Sequence, residues 1–207
     1  MPKSTFFNLN EEKRIKIEKA LKTEFSRGSF EEASVSNIVT NAQIPRGSFY
    51  QYFEDKEDAV KYIIQKFILA EEELISEILI DTNGDIFESA IKIYDYMVEE
   101  LLKDNSFKLV RNILQELKKE NFSIFDKNNK FGNKKQINNL INKETLNLDN
   151  EEDLYYIMKI ITIITRTEAI EVISKKKTKD QGTEDLKKEL EILKRGSIEK
   201  VNSIWKK

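Results

Sequence analysis

Residues 34–58 read Ser34-Val-Ser-Asn-Ile-Val-Thr-Asn-Ala-Gln-Ile-Pro-Arg-Gly-Ser-Phe-Tyr-Gln-Tyr-Phe-Glu-Asp-Lys-Glu-Asp58. Two short helical patterns follow one another in this stretch. Val35, Ile38, Val39 and Ala42 recur at the spacing that places four side chains on one helix face. Ser34 stands just before them, where a hydroxyl can cap the free amides of a first turn. Pro45 comes three residues after Ala42, and its missing N–H costs nothing at the first position of a helix. The helix that Pro45 opens carries Arg46 to Phe53, with Phe49 and Phe53 on its inner face. Two short helices joined by a tight turn form the layout in which the second helix reads a DNA groove.

Outward from this stretch the periodicity remains helical. On the N-terminal side the spacing predicts a helix from Asn10 to Ser26, with Ile17, Ala20, Leu21 and Phe25 on one face and Gly28 as its stop. Lys13, Lys16, Lys19 and Lys22 fall on the other faces and read as a solvated surface. On the C-terminal side Asp55 can cap a helix with the stripe Val60, Ile63, Ile64, Phe67, Leu74, Ile75 and Ile78. Asp85 with Glu88 resembles a capping box, opening a helix through Ile91, Tyr94, Met97 and Leu101. A further helix covers Phe107 to Lys119, and residues 121–136, rich in Asn and Lys with Gly132 among them, read as a loop. A short helix spans Gln136 to Asn142.

The last two helical patterns bear on assembly. Asp149 with Glu152 is a second capping-box pattern, opening a run to about Lys176 whose middle, Ile157 to Ile164, is apolar on nearly every side. Such a helix must be covered all round, which in a chain this small implies a second subunit. The final run, Thr183 to about Lys206, presents Leu186, Leu190, Leu193, Val201, Ile204 and Trp205. Two such helices from each of two copies predict a four-helix homodimer seam.

Composition narrows the function classes. Hydrophobic residues are 39% and charged residues 35% of the 207, with only 6 Gly and 2 Pro, which disfavours disorder and turn-rich β folds. There is no Cys and no His, which excludes disulfides, thiolate metal sites and a cysteine nucleophile. The commonest general base is missing as well, so no catalytic residue, metal or cofactor is expected. The net charge is −2. Residues 1–53 hold eight Lys and Arg against six Glu, a balance of +2 that leaves −4 for the remainder, a small bias with the sign that phosphate binding needs. No secretory leader or membrane span is visible, so a soluble cytoplasmic protein is expected.

The quoted stretch, and most closely Arg46-Gly-Ser-Phe-Tyr-Gln-Tyr-Phe-Glu-Asp-Lys-Glu57, resembles the signature of the tetracycline-repressor (TetR) family. The resemblance in motif covers roughly residues 10 to 65. It implies an all-α chain: a three-helix DNA-binding head over residues 1–55, and a larger helical ligand-binding and dimerisation body over 56–207, about nine helices. It also implies a double-stranded DNA operator, a small-molecule effector and a homodimer as partners. Arg46 can reach a guanine edge or a phosphate, and Gly47 permits close approach of the helix N-terminus. Ser48 and Tyr50 offer hydroxyls to phosphate, and Gln51 and Tyr52 can touch base edges. Lys56 suits a phosphate at the start of the next helix, and Ser34 and Ser36 join by similarity to the family. For an effector, Tyr94, Tyr96, Met97, Arg111, Gln115 and Arg166 place polar or adaptable groups among apolar stripes. Arg166 has two candidate partners, an anionic ligand or a glutamate such as Glu168 or Glu171.

Two positions depart from the family pattern. Gln43 stands where the turn often has glycine, at a cost of about 1 kcal/mol if that residue is left-handed. Val39 stands in a site usually given to alanine, so slight repacking is expected. A helical protein-interaction module that keeps a degenerate head is the alternative reading, and the feeble basic charge speaks for it.

Overall fold

The computed structural model describes residues 1–103, 106–119 and 134–198 of the chain. Among these, ten α-helices and one 3-10 turn form, and no strand. The all-α expectation therefore holds. The helices are α1 (Ser4–Phe7), α2 (Glu11–Arg27), α3 (Val35–Ala42), α4 (Arg46–Tyr52), α5 (Lys56–Asp81), α6 (Ile86–Lys103), α7 (Ser106–Lys119), α8 (Lys134–Leu140), α9 (Glu151–Ile173) and α10 (Lys179–Ile198). They fall into two compact units. The first comprises Met1–Ala70 with α7, the second the chain from Glu71 through α6 with α8 to α10, so the chain passes between them inside α5. The expected loop at 121–136 lies outside the described residues as far as residue 133, as do Val201, Ile204 and Trp205.

In the first unit, Asn10 caps α2 by accepting from Lys13 N at 2.9 Å, and Glu11 and Glu12 lie at the positive end of the helix. The inner face of α2, Ile17, Ala20, Leu21 and Phe25, joins Ile38 and Val39 of α3 and Phe49 of α4 in one core. Phe6, Tyr52, Phe53, Tyr62, Ile63, Ile68 and Ile113 belong to it as well. Asn112 of α7 donates from Nδ2 to Phe25 O at 2.8 Å, which satisfies a carbonyl at the end of α2. Ser34 sits at the cap position of α3, but its hydroxyl makes no capping bond. Instead its backbone N–H donates to the Glu24 carboxylate at 2.9 Å. Pro45 precedes α4 with φ −60° and ψ 144°, one position outside the helix it was expected to begin.

Gln43 is left-handed, with φ 54° and ψ 47°. Its N–H donates to Thr40 O at 3.1 Å, and that of Ile44 to Val39 O at 3.0 Å. This pair of bonds is the Schellman stop, with Val39 and Ile44 supplying its apolar contact. The turn between α3 and α4 is thus closed by backbone bonds even without glycine.

In the second unit, α9 packs on both α6 and α10, and their shared core holds Tyr94, Val98, Leu154, Ile157, Ile161, Ala169, Val172, Leu186 and Leu190. Asp85 Oδ1 accepts from Phe87 N and Glu88 N at 2.8 and 3.0 Å and so opens α6, while its own N–H donates to Thr82 O at 3.1 Å, so the cap is the Asp85 half of the expected box. Gly84, just before it, has φ 79° and lies against the backbone of residues 140–142, a place where a Cβ has no room. At α9 the capping box is Asn150 with Asp153, one residue beyond the pair expected. Among the described residues no helix is long and apolar enough to cross a membrane.

Candidate nucleic-acid interface

The quoted motif forms α3, its turn, α4 and the start of α5. Phe49 and Phe53 are fully buried, their rings 5.3 Å apart, and they fix which face of α4 turns outward. Arg46, Gly47 and Gln51 are exposed, as is Tyr50 at 43%. Ser48 is half-buried, and its N–H donates to Pro45 O at 2.9 Å. A Cβ built on Gly47 meets nothing within 4 Å, so the first turn of α4 has open space on that side. Ser36 is exposed on α3, and Ser34 is half-buried. Lys56, at the first position of α5, uses its ammonium to bind Glu31 O at 2.7 Å.

Tyr52 is placed differently from the expectation. It is only 5% exposed, with its ring 6.1 Å from that of Phe6 and the Lys13 ammonium 5.8 Å from its centre. Tyr52 precedes Phe53 and follows Phe49 by three positions, which puts it on the buried side of a seven-residue helix. Its ring belongs to the core, and it is not available to base edges.

A charged network holds this surface from behind. The Glu24 carboxylate accepts from Ser34 N, from Asn37 Nδ2 at 3.1 Å and from Arg27 Nη2 at 2.8 Å. Burial pushes the carboxyl up, but these three donors outweigh it and hold Glu24 below its ordinary value. Glu18 of α2 likewise accepts from Tyr62 Oη and from Lys66 Nζ at 2.7 Å, both on α5. Burial raises Glu18 and the two bonds bring it below the usual carboxylate range. None of Glu18, Glu24 or Tyr62 was singled out from sequence. An acid in an amphipathic helix carries no local mark of a buried role.

The six residues proposed for an effector do not share one unit. Arg111 and Gln115 are exposed on α7 of the first unit, whereas Tyr94, Tyr96, Met97 and Arg166 belong to the second. Tyr94 is fully buried, Tyr96 exposed, and Met97 packs at the edge of the second core. Arg166 pairs with neither Glu168 nor Glu171 but with Glu71 of α5, at 3.3 Å. Glu168 and Glu171 are instead engaged by Lys177, at 2.8 and 3.1 Å. Burial raises the Glu71 carboxyl, and Arg166 only partly offsets it. Next to Arg166, Thr165 Oγ1 is buried with no hydrogen-bond partner among the described residues.

Residues 17–63 match the family model for bacterial regulatory proteins of the tetR family, and residues 85–197 match that of the tetracyclin repressor-like C-terminal domain. No curated protein is matched. Solved structures are. A TetR family transcriptional regulator from Chloroflexus aurantiacus J-10-fl is 21% identical, with 97% of this chain and 100% of that one covered and a TM-score of 0.52. A protein assigned to the TetR-family transcriptional regulators, from Mesorhizobium loti MAFF303099, is 13% identical over 91% and 98% of the two chains, with a TM-score of 0.64. A protein assigned as a transcription regulator, from Lactobacillus plantarum, is 15% identical over 89% and 97%, with a TM-score of 0.54. At these identities the structures testify to the fold.

Proposed function

The chain belongs to the tetracycline-repressor (TetR) family of DNA-binding transcriptional regulators, and on that premise we propose that it is a homodimeric repressor released from a palindromic operator by a small-molecule effector. One observation carries the DNA reading. Arg46, Tyr50 and Gln51 stand outward on α4 while Phe49 and Phe53 lock its opposite face into the core. A helix so held can enter a major groove without exposing its own core, with Arg46 on a guanine edge or phosphate and Tyr50 on phosphate. Ser34, Ser36, Gly47, Ser48 and Lys56 line the same reading, and Tyr52 supports it from inside. The Lys56 ammonium is already bonded to Glu31 O, so a phosphate would have to share or displace that bond.

Two copies are needed to read a palindrome, and α9 supplies a reason for them to meet. Tyr156, Ile160, Ile163, Thr167 and Ile170 recur along one side of α9, and all five are exposed in the single chain. That stripe, with Ile192 of α10 also exposed, suits an isologous seam between copies. The effector acts by differential affinity: a molecule that fits only the arrangement unable to hold DNA shifts the population away from the operator. Its pocket draws on Tyr94, Tyr96, Met97 and Arg166 of the second unit in this reading.

Fluorescence anisotropy on a duplex that the wild-type chain enriches from a random pool tests the DNA reading. Arg46→Ala and Tyr50→Phe each weaken binding about tenfold or more, as the loss of a charge-assisted or hydroxyl contact implies, with the dimer still folded. Unchanged affinity in both variants refutes it.

A further inference from the structure

A helix leaves its last carbonyls without partners of its own. In α4 the last internal bond runs from Phe53 N to Phe49 O at 2.8 Å, so the oxygens of Tyr50, Gln51 and Tyr52 are left over. Residues 3–5 take all three. Lys3 Nζ donates to Tyr50 O at 2.9 Å, Thr5 Oγ1 donates to Gln51 O, and Lys3 N donates to Tyr52 O at 2.8 Å. Phe6 holds this segment in place. It is fully buried, with its ring 5.1 Å from both Phe53 and Tyr62.

We propose that residues 3–6 are a detached C-terminal cap for α4, and that Lys3 and Thr5 are positioning residues for the side chains of Tyr50 and Gln51. The proposal rests on the DNA reading above. A helix of seven residues is too short to persist unaided, and its last turn is where fraying starts. That turn carries Tyr50 and Gln51, whose side chains are exposed while their backbone oxygens are held by Lys3 and Thr5. The Lys3 ammonium also sits at the negative end of the helix, where a cation is favoured. The segment lies ahead of residue 17, where the match to the family's head begins.

The test uses the full chain as wild type, Thr5→Val, Thr5→Ser and Lys3→Met. Amide exchange is followed over residues 46–53, and anisotropy is measured on the selected duplex across a range of salt. Losing one capping bond should speed exchange of the final-turn amides about fivefold and weaken duplex binding by a similar factor. Thr5→Ser restores both. The slope of affinity against salt stays at its wild-type value in Thr5→Val and Lys3→Met, because neither residue is counted among the phosphate contacts. A Lys3→Met slope lower by about one, with exchange unchanged, makes Lys3 a phosphate ligand and overturns its positioning role. Thr5→Val with unaltered exchange and affinity overturns the cap. If the wild type enriches no duplex, the DNA reading fails, the positioning role falls with it, and exchange alone decides the cap.

Discussion

Asn37 and Glu24 are joined across α2 and α3: the Asn37 amide donates to both oxygens of a carboxylate that is 3% exposed, at 3.1 and 3.2 Å. The same carboxylate receives Ser34 N, so one acid fixes where α3 begins. The Arg27 guanidinium, itself largely in solvent, is the first of the contacts that hold the acid ionised, and the Ser34 and Asn37 amides add to it. Glu24→Gln turns one acceptor into a donor facing other donors, and should cost the head about 1–3 kcal/mol in urea denaturation. An unchanged midpoint and slope would show that water replaces the carboxylate without loss.

Acid should act on the two units with opposite signs. Glu18 and Glu24 are held below the ordinary carboxylate value of 4.5. Their contribution is present above that value and is lost as pH falls through their lowered folded values. Glu71, in the second unit, is raised, so its burial opposes folding at neutral pH and is relieved as pH falls toward 4.5. Thermal melts at pH 7, 5 and 4 should therefore show Glu71→Gln losing the gain that the wild type makes as pH falls toward 4.5. Glu24→Gln should flatten the fall below pH 4.5. Parallel curves for all three proteins would contradict both assignments.

How much of this was legible in sequence depends on how local each cause is. The outward and inward faces of α4 follow from the spacing of Phe49 and Phe53, and Asp55 caps α5 through its bond from Asp58 N at 2.7 Å as a three-residue interval suggests. The turn at Gln43 was marked by the family's glycine at that place, and the structure shows that the residue is left-handed. The cap of α9 slipped by one residue because Asp149, Asn150, Glu152 and Asp153 offer several caps within one turn, and only the folded chain selects among them. The spacing of Tyr52 from Phe49 places it at the edge of the buried face, and the Phe6 ring, more than forty positions away, is what covers that edge. Arg166 has its partner in Glu71, on a helix that no periodicity connects to α9. Short-range causes show in the sequence, and partners from distant segments do not.

Gly182 should resist the usual gain from a helical alanine. In an exposed helix Gly→Ala adds about 1 kcal/mol. Here the new Cβ would collide with the Tyr94 hydroxyl and lie 2.6 Å from Val172 Cγ2, both in the packed core. Overpacking costs about 1–3 kcal/mol, so the net effect of Gly182→Ala is destabilising. Tyr94→Phe removes the nearest clashing atom, and the two changes should couple favourably in a double-mutant cycle by about 0.5–1 kcal/mol. Strict additivity would mean that α10 simply moves away.

The apolar side of α9 gives the most direct test of assembly. Ile163 is 56% exposed in the single chain and lies at the middle of the stripe that runs from Tyr156 to Ile170. If a second copy covers this stripe about a two-fold axis, one substitution enters the interface twice. A glutamate there is removed from water beside apolar neighbours, and Lys159 and Arg166, one turn away on either side, offset it only in part, because Arg166 is already paired with Glu71. Burying a charge at an interface costs about 2–4 kcal/mol. Ile163→Glu should therefore raise the dimer dissociation constant by about thirtyfold or more, read by sedimentation. Its helical circular dichroism should stay that of the wild type, because the side chain takes no part in either core. A variant that sediments as the wild-type dimer at every concentration would place the seam elsewhere. A wild type that is monomeric throughout would leave the stripe without a second copy to cover it, and the palindrome without a matched reader.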